Sequence, residues 1–82
     1  MIKVLFFAQL RDQLGINELT VESAKNPNVQ VLLDNLKATQ THWVLPLSNT
    51  TLMVAVNQTI ATKTAELVSG DEVAFFPPVT GG

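Results

Sequence analysis

Eighty-two residues leave room for one small core and none for a deep cleft walled by the chain itself, so a self-contained enzyme is not expected. With no cysteine and a single histidine, disulfides, thiolate metal sites, iron–sulfur clusters and a cysteine nucleophile are excluded. The net charge of −2 has the wrong sign for a surface that tracks phosphates, so no nucleic-acid partner is expected. Hydrophobic residues make up 46% of the chain, which argues against disorder. Charged residues are only 15%, a shortage that leaves apolar surface for a partner to cover.

The opening run Ile2-Lys-Val-Leu-Phe-Phe-Ala8 is β-branched and aromatic and predicts a central strand. It is too short for a signal peptide or a membrane span, so a cytoplasmic protein without membrane contact is expected. Gly15 and Asn17 are turn formers, and Leu10 and Leu14, four apart, suit one helical turn before them. Leu19–Glu22 alternates weakly and reads as a second strand. Asn28 is a good N-cap, and Val29, Leu32, Leu33 and Leu36 form one apolar stripe, so a helix is predicted over about 29–41. Trp43 and Leu45 are expected in the core, closing the helix end, and Pro46 stops the helix. His42, near that end, reads as a helix-terminus cation and not as a ligand.

Thr51–Val56 predicts a strand, Asn57-Gln58 a tight turn, Ile60 a short return strand, Ser69-Gly70 a turn and Glu72–Phe76 the last strand. Asp71 and Glu72 read as turn residues, because strand neighbours point to opposite faces and do not converge on one atom. The first and last strands are the most hydrophobic and are expected to pair in parallel at the centre of the sheet. One amphipathic helix covers one face of that sheet, and burying its four aliphatic side chains contributes on the order of 6–12 kcal/mol before entropy. The expected fold is α+β: a β-grasp, or ubiquitin-like, arrangement with a mixed four- to five-stranded sheet and one main helix, a single domain over 1–82 with an extended tail over 77–82.

The end of the chain is its most unusual part. Gly81 and Gly82 follow Phe75-Phe-Pro-Pro-Val-Thr80. Each proline fixes its own φ and pushes its predecessor towards extended backbone, so the tail is held straight before it meets a partner. At ~3.3–3.6 Å per residue, residues 77–82 reach at most ~20 Å. Two glycines let the main chain thread a narrow channel and expose the last carbonyl carbon. A carboxylate is a poor electrophile until it becomes a mixed anhydride with a nucleotide, and the chain has no phosphate-binding loop of its own, so another protein must activate it.

The ending Gly70-Asp-Glu-Val-Ala-Phe-Phe-Pro-Pro-Val-Thr-Gly-Gly82 resembles that of the molybdopterin synthase small subunits, the sulfur carriers of molybdenum cofactor biosynthesis. Ile2–Ala8 and Ala55-Val-Asn-Gln-Thr59 resemble the same family, whereas 17–50 adds nothing. The resemblance implies that an E1-like enzyme uses ATP to adenylate the carboxylate of Gly82, that sulfur replaces AMP to leave a thiocarboxylate, and that the large subunit receives the tail and passes the sulfur to cyclic pyranopterin monophosphate. It implies a heterotetramer of two small and two large subunits, a carrier that is not an enzyme on its own, and no cofactor bound by this chain. Without cysteine no side-chain persulfide can carry the sulfur, which agrees. Gly81 is then the threading residue, and Phe7, Arg11, Ile60, Phe76, Pro77, Pro78, Val79 and Thr80 are the expected partner interface. From the residues alone, Phe75 and Phe76 are either both core or one in and one out, and Arg11 is either a solvated charge or an interfacial ion pair. Gly-Gly alone also fits a thiamine-pathway sulfur carrier or a protein modifier conjugated through Gly82, and an interaction domain with an inert tail is a third class.

Overall fold

The computed structural model describes residues 1–78. Its element order is β1 (Ile2–Phe6), α1 (Ala8–Leu14), β2 (Glu18–Val21), α2 (Val29–Thr39), α3 (Val44–Leu47), β3 (Met53–Val56), β4 (Thr59–Ile60) and β5 (Glu72–Phe76). The five strands form one mixed sheet in the order β2-β1-β5-β3-β4. β1 and β5 run parallel, Val4 opposite Val73 and Phe6 opposite Phe75, while β2, β3 and β4 join antiparallel. This is the expected β-grasp arrangement, with five strands and the helices on one face.

The two-residue period of the strands decides the faces. Ile2, Val4, Phe6, Val73, Phe75 and Val54 point inward and meet Val29, Leu32, Leu33 and Leu36 of α2 in one cluster. Phe6 stacks on Phe75 at 6.2 Å between ring centres and meets the edge of Trp43 at 6.1 Å. Asn28 caps α2 as expected, its Oδ1 accepting the Val31 N–H at 2.9 Å.

Several boundaries differ from the sequence reading. β1 ends at Phe6, not Ala8, because Ala8 takes a left-handed backbone with φ 56° that turns the chain into α1. α1 is a seven-residue helix and not a single turn; Leu10 and Leu14 bury one side of it, and Gly15, at φ 78°, closes it by donating its N–H to the Arg11 carbonyl. β2 starts one residue earlier, at Glu18, and β3 starts at Met53, because Asn49 draws Thr51 and Leu52 into a turn instead. α2 stops at Thr39; Gln40 is extended and a 3₁₀ turn over Thr41–Trp43 follows. His42 is exposed in that turn, against the edge of Trp43 and off the end of α2.

The expectation that Leu45 lies in the core is corrected: it is 84% exposed. Trp43 and Leu47, four apart, share the inward face of the α3 turn, and at 100° per residue Leu45 falls on the opposite side. Trp43 is buried, and its indole N–H donates to the Leu14 carbonyl at 3.0 Å. Pro46 sits within the one-turn α3, where a missing N–H costs little.

Candidate docking face and tail root

The helices cover one face of the sheet and leave the other open. On the open face lie Leu5 of β1, Ala74 and Phe76 of β5, Met53 and Ala55 of β3 and Ile60 of β4, placed by registers that set Phe76 beside Met53, Ala74 beside Ala55 and Ala55 beside Ile60. None of the six belongs to the core cluster. Phe7 continues the alternation past inward Phe6 and is 46% exposed, and Ile60 is 60% exposed. The face is apolar around Phe7, Phe76 and Met53, where β5 ends. It turns charged at the other end, where Lys3 stands beside Glu72, and along β2, where Glu18 stands beside Leu5. Lys3 and Glu18 approach to 3.8 Å with both side chains about half exposed, a surface pair that contributes little.

Phe75 and Phe76 resolve to one in and one out: Phe75 is fully buried, and Phe76 is half-buried on the open face. The Phe7 N–H donates to the Phe75 carbonyl at 3.1 Å, so the end of β1 is fastened beside the end of β5. Pro77 follows, half-buried, then exposed Pro78, and without an N–H on either the ladder stops there. Phe7, Ile60, Phe76, Pro77 and Pro78 therefore share one face or its rim at the root of the tail. Val79, Thr80, Gly81 and Gly82 lie outside the described residues. Arg11 stands on the exposed side of α1; its guanidinium is 3.8 Å from its neighbour Asp12, which leaves it a solvated charge in this chain alone.

Opposite the tail root, the β3–β4 turn is pinned to β5 by a set of bonds that sequence reasoning missed. Asn57 donates its backbone N–H to the Glu72 carbonyl at 2.8 Å, accepts the Glu72 N–H on Oδ1 at 3.0 Å and donates Nδ2 to Asp71 Oδ1 at 3.0 Å. Asp71 Oδ2 accepts the Val68 N–H at 2.9 Å. These donors, the Val68 N–H first and the Asn57 amide second, hold the Asp71 carboxyl below its ordinary pKa. The signal in the sequence was Asn57 in a hairpin turn, but its partner fourteen residues on could not be read without the β3–β5 register.

Side chains that could do chemistry are sparse among the described residues. Among the described residues no three His, Asp or Glu side chains stand close enough to hold a metal ion. Two open depressions, one lined by Arg11, Asp12, Gly15, Ile16 and Asn17 and the other between β2 and α2, bring together no nucleophile and base. No helix among the described residues is long and apolar enough to cross a membrane.

A mixed sheet with its helices on one face, an open and largely apolar other face, and two prolines at the end of its middle strand defines a β-grasp protein. The ThiS family model matches residues 4–82. The chain is 49% identical to the molybdopterin synthase sulfur carrier subunit of Escherichia coli over the whole of both chains. In fold it is similar to SAMP1 from Haloferax volcanii, with a TM-score of 0.83 at 25% identity over 99% of this chain and 98% of that one. It also shares its fold, at a TM-score of 0.67 and 19% identity over 99% of this chain and 97% of that one, with a chain in the complex of subunits 1 and 2 of the Helicobacter pylori molybdopterin-converting factor. The chain belongs to the ThiS family and, within it, to the molybdopterin synthase sulfur carrier subunits.

Proposed function

We propose that this chain carries sulfur on its C-terminal carboxylate for the dithiolene of molybdopterin, and that the open sheet face docks the proteins that load and unload it. The observation that carries this reading is the meeting of the apolar patch with the tail root: Phe7, Phe76 and Met53 surround the point where β5 hands over to Pro77 and Pro78. A partner that covers this patch receives the tail along a fixed direction. The E. coli relative, matched end to end, is named a sulfur carrier subunit of molybdopterin synthase, and the H. pylori fold relative is in complex with subunit 2 of its converting factor.

The chemistry follows from the terminus. An E1-like enzyme joins the Gly82 carboxylate to the α-phosphate of ATP and releases pyrophosphate. A sulfide-level nucleophile adds to the acyl carbon, AMP leaves with the electron pair, and a thiocarboxylate remains. In the synthase large subunit the thiocarboxylate sulfur bonds to a side-chain carbon of the substrate, cyclic pyranopterin monophosphate. The carbon–oxygen bond there breaks and its oxygen leaves with the electron pair. Water then cleaves the acyl–sulfur bond and restores the carboxylate. A dithiolene holds two sulfurs and each tail brings one, so two charged carriers serve each product, in keeping with a heterotetramer of two small and two large subunits. On this reading the chain supplies no catalytic side chain and binds no cofactor, ATP belongs to the activating enzyme, and the cycle runs in the cytoplasm. Gly81 and Gly82 thread the channel, and Arg11, Val79 and Thr80 complete the interface begun by Phe7, Ile60, Phe76, Pro77 and Pro78.

Incubation with ATP, an E1-like enzyme and a sulfur source, followed by intact-mass measurement, tests the reading. Sulfur in place of oxygen adds about 16 Da. The fold shared with SAMP1, a small archaeal modifier protein, favours one second reading, in which Gly82 forms an isopeptide bond with lysine. Conjugates of higher mass in the native host, without the 16 Da species, would select it.

A further inference from the structure

Strand β4 is the least supported part of the open face. It has two residues, pairs only with β3 and lies at the sheet edge. Thr59 and Ile60 are both exposed, and neither belongs to the core cluster, so no buried side chain of its own anchors the strand. The turn that delivers it holds two non-glycine residues in the left-handed region, Asn57 at φ 51° and Gln58 at φ 69°, as a two-residue hairpin turn requires and as side chains disfavour. Past the turn, one bond from the Ala61 N–H to the Val54 carbonyl continues the pairing. Before it, everything converges on Asn57, whose backbone and amide bind Glu72 and Asp71 at the start of β5.

We propose that Asn57 is a positioning residue for the docking face: its amide clamps the β3–β4 hairpin to the start of β5 and so holds Ile60 level with Ala55 and Ala74 where a partner meets it. The inference rests on the docking reading above. Asp71 is the other half of the clamp. It is oriented by the Val68 N–H and accepts the Asn57 amide on its remaining oxygen. The device fixes an apolar contact through polar bonds placed away from the contact itself, which leaves the Ile60 side chain free to be buried by the partner.

The test is a titration of the full chain with the molybdopterin synthase large subunit, accompanied by thermal unfolding and amide exchange. Asn57→Gly keeps the left-handed backbone and the bond from its own N–H to Glu72 while removing the amide. It is expected to weaken binding about 3- to 10-fold, to speed exchange of the Ala61 amide and of the Glu72 amide, which loses its acceptor, and to leave the exchange of amides in β1 and over Val73–Phe76 at wild-type rates. In an Ile60→Ala background it should have no further effect on Kd, because the clamp acts through Ile60. Asn57→Asp sets two carboxylates against each other and should weaken binding similarly, while Asn57→Asp/Asp71→Asn exchanges donor and acceptor and should restore it. An unchanged Kd for Asn57→Gly where Ile60→Ala weakens binding overturns the clamp alone. So does an additive effect in the double variant, or failure of the exchanged pair to rescue. If Ile60→Ala itself leaves Kd unchanged, the docking reading of β4 fails, and the clamp's role falls with it.

Discussion

Replacing Phe7 by Ala separates docking from folding. A phenylalanine side chain buries about 150–250 Å² when fully covered, and Phe7 is 46% exposed in the free chain. A partner seated on the open face would thus remove roughly 70–115 Å² from water, about 2–3 kcal/mol at ~25 cal/mol per Å². Part of this survives in the alanine Cβ, so the expected loss is about 2 kcal/mol, or roughly 30-fold in Kd. The covered half of the ring is also lost from the free chain, a cost to stability of similar size that thermal unfolding reads separately from binding, while the architecture is kept. The ring lies outside the core cluster, and the bond to the Phe75 carbonyl uses the backbone N–H, which alanine keeps. The control is Leu45→Ala. Leu45 is 84% exposed, so exposure alone ranks it above Phe7, but it lies on α3 in the helical layer, behind the sheet. Isothermal titration with the synthase large subunit should show a weakened Phe7→Ala and a wild-type Leu45→Ala. Equal losses in both, or a Phe7→Ala affinity within twofold of wild type, would refute the assignment of the open face.

Gly82→Ala should leave unfolding unchanged and abolish sulfur transfer, read as loss of product formation by the reconstituted synthase, because a methyl group obstructs a channel shaped for bare backbone. Trp43→Phe should destabilise the fold by about 2–4 kcal/mol in urea with an unchanged m-value, since the buried Leu14 carbonyl loses its donor and the core loses volume. Asp71 provides the pH test. Its folded pKa is lowered, first by the Val68 N–H and then by Asn57, so its contribution is full above the unfolded value near roughly pH 4 and is lost as pH falls towards the folded one. The melting-temperature difference between wild type and Asp71→Asn should therefore shrink on acidification below about pH 4, and a difference that grows instead would contradict the lowered pKa.

What the sequence showed and what it hid divide along the range of the interactions. The apolar stripe of α2, its Asn28 cap, the Asn57-Gln58 turn and the bounds of β5 depend on near neighbours and were legible. The alternation of Phe75 and Phe76 became decidable only when the sheet proved to be covered on one side. The left-handed Ala8 was hidden because alanine carries no turn signal; the packing of Leu10 and Leu14 under the sheet imposes it. Leu45 misled because a leucine beside a tryptophan reads as core, whereas the 3₁₀ turn before α3 resets the phase and points it to solvent. The partner of Asn57 was unreadable for a different reason: a side-chain bond across fourteen residues exists only in one strand register, and register is a property of the whole sheet.

The position of the tail in the sheet has a mechanical consequence. β5 is the middle strand, bonded to β1 on one side and β3 on the other, with Val73 and Phe75 fully buried. A tail on an edge strand could peel away when a partner draws it into a channel. On the middle strand, pulling on Pro77 loads two ladders and the stacked Phe6–Phe75 pair together. On the proposed reading, a docking protein that draws on Pro77 works against a strand end already fixed within the fold, and need only cover the apolar face beside it. With one such face and one tail, on the proposed reading, the enzyme that loads sulfur and the enzyme that takes it must occupy the same surface in turn. Release from the first partner then becomes a required step of every cycle, and a face fastened too tightly to either partner would slow the transfer it serves.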